Sequence, residues 1–217
     1  MGKFDSSGEP LIYLITDGET TVENFTEKKP QILKLVETAV RAKISLIEIR
    51  EKQLSARLVF ELASEAAGLM RNTTTKLLIN DRADIALAAN AHGVHLTSRS
   101  LSADVIKQNF PRNFIVGVSA HTIEAVENAK RQGADFATFS PIFSSPGKGE
   151  PHGIEKLREV CELLKPFPVV ALGGIDATNF TKVLEAGASG FAAIRFLNDE
   201  ENLKKFIIPH RIHADKL

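Results

Sequence analysis

Six residues in a row set the first chemical constraint. In Ile47-Glu48-Ile49-Arg50-Glu51-Lys52, apolar and charged side chains alternate as far as Arg50, and two more charges follow. An extended segment points successive side chains to opposite faces, so Glu48, Arg50 and Lys52 fall on one face and Ile47 and Ile49 on the other. Arg suits phosphate because its planar fork binds two oxygens at once, and an Arg set before a strand leaves a packed interior is costly unless it is paired. The alternative is that these charges only solvate a rim. Downstream, Asn80-Asp81-Arg82 precedes the helical run 83–89; Asp81 either caps that helix or offers magnesium a hard oxygen ligand beside substrate phosphates. In Gly117-Val118-Ser119-Ala120-His121, Ser119 and His121 project to one side, and His121 is of the type that shuttles protons near neutral pH. His95 reads as a core or rim residue. Gly173-Gly174 lets backbone amides approach a ligand closely, and it pairs with Ile194-Arg195 as a phosphate-binding end. The segment 141–149 is rich in turn formers; it brings Ser145 as a substrate-binding group and Lys148 as a movable positive charge, or else is an ordinary solvent loop.

The elements that must position these residues follow from periodicity. Strand-length runs recur at 11–16, 44–50, 76–80, 93–96, 114–119, 135–140, 168–173 and 190–194, and helical spacing fills the intervals, as in Leu58, Val59, Leu62, Ala63 and Ala66. Ser55, Thr122 and Asp176 or Thr178 read as helix starts, and Gly133 and Gly187 as stops. Strict β-then-α order implies a parallel sheet, and eight units in 217 residues imply closure into a single-domain (β/α)8 TIM barrel over residues 11–208. Residues 1–10 read as a flexible leader and 209–217 as a polar tail. An open doubly wound sheet is the alternative, weakened because Thr16-Asp17-Gly18-Glu19-Thr20 lacks the glycine fingerprint of a dinucleotide fold. In a barrel the residues named above sit at or beyond the C-terminal strand ends, where such folds build their sites.

Composition narrows the partners. Lys plus Arg and Asp plus Glu each number 27, so no global field favours nucleic acid or an anionic membrane. The single cysteine, Cys161, excludes a disulfide framework and reads as core packing. No apolar run approaches a membrane span, and a cytoplasmic location is expected. Met1-Gly2 with Ser6 fits an N-myristoylation pattern, but a disordered leader is the simpler reading. His210 and His213 look solvated and lack companions for a metal site. The expected partners are small phosphorylated substrates, with a homo-oligomer left open.

The ordered set Leu14-Ile15-Thr16-Asp17, Ile47 to Lys52, Leu78 to Arg82, Gly93-Val94-His95-Leu96, Gly117 to Thr122, Pro141-Ile142-Phe143 and Gly173-Gly174-Ile175 resembles the thiamine phosphate synthase and TenI family from about Leu11 to Leu197. The resemblance implies the same barrel. It also implies that Arg50, Lys52, Asn80 and Lys148 contact a pyrophosphate, that Asp81 helps hold Mg2+, that Ser119 lies near the reacting centre, and that Gly173, Gly174 and the backbone near Ile194 hold a thiazole phosphate. Four positions depart from the family pattern. Glu48 stands where Gln is usual, Ser100 where a second magnesium carboxylate is usual, Gly147 where a hydroxyl residue is usual, and Arg195 where Ser is usual. The expected activity is joining of hydroxymethylpyrimidine pyrophosphate to thiazole phosphate. The alternatives are a TenI-type thiazole tautomerase with His121 as acid/base, and a barrel that binds a thiamine-related phosphate without turnover.

Overall fold

The computed structural model describes residues 9–203. The leader up to residue 8, the tail with His210 and His213, and the Met1-Gly2-Ser6 pattern lie outside the described residues. Strands β1 (Leu11–Ile15), β2 (Leu46–Ile49), β3 (Lys76–Asn80), β4 (Gly93–Leu96), β5 (Ile115–Ala120), β6 (Phe136–Phe139), β7 (Val169–Leu172) and β8 (Gly190–Ala193) alternate with helices α1 (Phe25–Arg41), α2 (Ala56–Leu69), α3 (Ala83–Ala88), α4 (Ala103–Asn109), α5 (Ile123–Arg131), α6 (Gly153–Leu164), α7 (Phe180–Glu185) and α8 (Arg195–Asn198). Each strand pairs in parallel with the next, and β8 returns to β1 through Leu11 opposite Gly190 and Leu14 opposite Ala193. The sheet is therefore a closed barrel, and the open-sheet alternative is excluded.

The expected strands are present, trimmed by one or two residues at some ends. Ser55 accepts a hydrogen bond from the Leu58 N–H at the start of α2, and Thr122 does the same for Ala125 at α5. Gly133 and Gly187 take positive φ just after α5 and α7. One start differs: α7 begins after Asn179, while Asp176 accepts from the N–H and hydroxyl of Thr178 in the turn ahead of it. A helix cap and an Asx turn use the same residue types, so sequence did not separate them.

Two apolar layers hold the barrel. Outside the sheet, faces such as Leu58, Leu62, Ala63 and Ala66 of α2 pack on alternate strand residues. Inside it, Tyr13, Ile15, Leu46, Leu78, Ile115, Phe136, Val170 and Ala192 fill the lower barrel. Gly117 makes that filling feasible, because a Cβ there would lie 2.3 Å from the Phe136 ring. The ring takes the vacated space and meets Tyr13 and His95 edge-on, at 5.8 Å between centroids in each case. Cys161 is buried among apolar neighbours, and burial pushes its thiol up to about 11, which suits packing rather than nucleophilic use.

Candidate active site

The C-terminal mouth opens into two adjoining cavities of about 670 and about 430 Å3 that share Ser145, Leu172, Gly173 and Ile194. The larger is lined by Glu48, Arg50, Lys52, Asn80, Asp81, Ser119, His121 and Lys148, and the smaller by Gly174 and Arg195. Every site residue named from sequence thus borders one space, although these residues come from six strands or their loops.

At one side Arg50, Lys52 and Lys148 converge. The Thr16 hydroxyl accepts from the Arg50 backbone N–H at 2.8 Å, and Gly18, at φ +81°, lets the guanidinium pass within about a side chain's thickness of its backbone. Burial, and next the positive charge of Arg50, hold Lys52 below the usual lysine value. Among the described residues none of these three cations is ion-paired, whereas Arg82 is locked to Asp84 at 2.5 Å. Positive charge held in no ion pair in a concave site favours a multiply charged anion. Glu51 points to the opposite side of the segment and accepts the Thr20 N–H at 3.0 Å, which anchors the loop after β1.

Asp81 does not cap α3. Its φ of +59° turns its carboxylate across to the loop after β4, and α3 is preceded by Arg82, which makes no side-chain cap. Asp81 Oδ1 accepts from the Thr97 N–H and hydroxyl and from the Ser100 hydroxyl, and Oδ2 accepts from Asn80 Nδ2 at 3.2 Å and from the Thr97 hydroxyl. Protein donors thus occupy both oxygens. No group of three His, Cys, Asp or Glu suited to a metal exists among the described residues. With one carboxylate at the mouth, and that one engaged by protein donors, magnesium held at Asp81 would need substrate phosphate oxygens for its remaining ligands.

Between the two ends sit Ser119 and His121. His121 Nδ1 lies 2.8 Å from the Ser140 carbonyl oxygen, which only accepts, so in the neutral ring Nδ1 carries the proton and Nε2 presents a lone pair. Ser119 Oγ is 2.9 Å from His95 Nε2; His95 Nδ1 is 2.8 Å from the Tyr13 hydroxyl; and that hydroxyl donates to Glu48 Oε2 at 2.8 Å. Tyr13, Glu48 and His95 are 0%, 2% and 2% exposed. Glu48 therefore does share a face with Arg50, but it lies a layer deeper, inside the barrel, and its partner is a phenol rather than a neighbouring cation. Period two determines the face; depth depends on where the barrel closes. Sequence reasoning missed Tyr13 altogether and placed His95 only as core or rim, because a strand Tyr or His by itself looks like packing.

At the other end, Gly173 and Gly174 have φ of +101° and +65°, and a Cβ at Gly174 would lie 2.5 Å from the Ser144 carbonyl oxygen. The Phe143 N–H donates to Gly173 O at 3.0 Å, and Asn179 Nδ2 to Gly174 O at 2.9 Å. Only glycine permits this close seating of the two loops. Ile194 and Arg195 open the short α8, so the smaller cavity is walled by the two glycines and by Ile194 and Arg195.

Residues 12–197 match the family model described as thiamine monophosphate synthase. Over 187 residues the chain is 42% identical to a candidate thiamine-phosphate synthase 2 of Aquifex aeolicus, covering 85% of this chain and 96% of that one. It is 34% identical over 196 residues to the thiamine-phosphate synthase of Clostridium tetani, covering 89% and 90%. A solved thiamine phosphate pyrophosphorylase from Pyrococcus furiosus superposes with a TM-score of 0.75 at 29% identity, covering 91% of this chain and 95% of that one.

Proposed function

Since the chain belongs to the thiamine monophosphate synthase family, we propose that it is a transferase that joins hydroxymethylpyrimidine pyrophosphate to thiazole phosphate and releases pyrophosphate. The observation that carries this reading is the pairing of two anion-suited ends at one mouth. Arg50, Lys52 and Lys148 crowd the larger cavity, and Gly173, Gly174, Ile194 and Arg195 wall the smaller one. In this assignment the three cations and Asn80 hold the pyrophosphate and stabilise the charge it gains as the C–O bond breaks. The smaller cavity fixes the thiazole phosphate so that its ring nitrogen faces the carbon left behind, with Ser119 and His121 between the two and Ser145 on the shared wall. The substrates are small and phosphorylated, and the work is cytoplasmic; no helix among the described residues is long and apolar enough to cross a membrane. The test is thiamine phosphate formation from the two substrates, with and without magnesium. No product under either condition overturns the reading, and binding without turnover points to a non-catalytic barrel.

A second reading has its own support. The donors from Thr97 and Ser100 that fill Asp81, and the bare Nε2 of His121, suit a proton-transfer reaction without metal. That reaction is isomerisation of a thiazole carboxylate phosphate to its aromatic tautomer, with His121 as acid/base. Tautomer conversion that survives in His121→Ala would sink the role of His121.

A further inference from the structure

We propose that Ser119 is the cavity end of a buried proton relay, Ser119 to His95 to Tyr13 to Glu48, in which Glu48 stores a proton released by bound substrate and later returns it. The hydrogen bonds dictate the direction. A phenol has one proton, so when Tyr13 donates to the Glu48 carboxylate it must accept from His95, whose Nδ1 then carries the imidazole proton. His95 Nε2 is left bare and takes the Ser119 hydroxyl proton, so the serine turns its lone pairs toward the cavity. Burial, and then the Glu48 charge, push the Tyr13 phenol well above its ordinary value, while burial holds His95 below its own. The two middle members of the chain accordingly rest neutral, as a relay requires.

One shift balances every bond. A substrate X–H gives its proton to Ser119 Oγ and keeps the electron pair; the serine proton bonds to His95 Nε2; the Nδ1 proton passes to Tyr13; and the phenolic proton ends on Glu48 Oε2. The negative charge moves from Glu48 to the substrate, beside Arg50, Lys52 and Lys148, where it is attracted. In the shifted state His95 donates to Ser119, which can donate back to substrate. Phe136 packs edge-on against both rings, and it screens the chain from water inside the barrel. A glutamine at position 48 could hold Tyr13 by a hydrogen bond but could not accept the proton, so Glu48 is what makes the chain a store.

The inference rests on the isomerisation reading of this cavity. Deuterium incorporation from D2O into thiazole carboxylate phosphate is the primary readout, alongside thiazole phosphate affinity by calorimetry. Tyr13→Phe, which removes one oxygen, and Glu48→Gln are each expected to slow exchange about tenfold or more, with affinity within about twofold of wild type. Exchange at the wild-type rate in a folded Tyr13→Phe or Glu48→Gln protein overturns the relay. If the wild type itself exchanges nothing, the isomerisation reading falls, and ring 15N NMR of histidine-labelled full-length protein decides the relay separately. His95 protonated at Nδ1 and bare at Nε2 supports it; a proton on Nε2, or an imidazolium, overturns it.

Discussion

Arg50, Lys52 and Lys148 reach the mouth from β2 and from the loop after β6, and a bound anion would relieve their mutual repulsion beyond what Asp81 and Glu48 already do. Arg50→Ala removes a charge-assisted bond worth about 1.5–3 kcal/mol, so kcat/KM for the pyrophosphate substrate should fall about 10- to 100-fold while the barrel stays folded. Steady-state kinetics with circular dichroism on the same sample checks both halves. Ser100 supports a second prediction. Its hydroxyl fills Asp81 Oδ1 where a second carboxylate would make a metal pair, so Ser100→Asp should give a magnesium-dependent rise in thermal midpoint that the wild type lacks. At this scale sequence placed the cations at the mouth, since side-chain type and a period of two are local signals. Glu48 shows the limit, because its charge looked like part of the rim until Tyr13 was placed 35 residues away in sequence and 2.8 Å away in space.

Elements matter because the site is made of strand ends whose depth is set by packing below. Gly117 of β5 supplies the clearest test. Gly117→Ala would drive a methyl into the Phe136 ring at 2.3 Å, and the ring supports Tyr13 and His95. Overpacking of this kind costs about 1–3 kcal/mol, so urea denaturation should show a lowered midpoint with unchanged slope. Gly174→Ala acts on the other end. Its Cβ would strike the Ser144 carbonyl oxygen in a backbone conformation L residues avoid, and the expected result is weaker thiazole phosphate binding by calorimetry. In sequence Gly117 read only as a strand interior and Gly174 as half of a phosphate-binding pair; the contacts that require glycine at each come from neighbouring strands and loops. The cap residues were legible, since Ser55 and Thr122 act locally through bonds three residues away.

The barrel as a whole half-buries His92, buries His95 and depresses both. Burial is the larger cause in each, aided by Lys76 at His92 and opposed by Glu48 at His95. Unfolded histidines protonate near pH 6.5, before the folded ones do, so below about that pH the unfolded chain binds more protons and stability falls as pH falls. The contribution is fully present above the unfolded value. Thermal midpoints should therefore drop between pH 7.5 and 5.5, and His92→Asn, which removes the imidazole that accepts the Leu77 N–H, should flatten part of that slope. A midpoint flat across this window would contradict the assignment.

Sequence alone determined the parallel β/α order, the number of strands, the caps at Ser55 and Thr122 and the roster of mouth residues, because all of these rest on local periodicity and on side-chain type. Tertiary structure decided what those residues touch. Whether Asp81 caps a helix or reaches the loop after β4 depends on a left-handed backbone turn and on Thr97 and Ser100, 16 and 19 residues on. Whether Glu48 faces solvent, a pyrophosphate or a phenol depends on strand register and on the curl of the sheet into a barrel, which brings Tyr13, Glu48, His95 and Ser119 from four strands into one line. Contacts of that separation carry no period along the chain, so only the folded barrel reveals them.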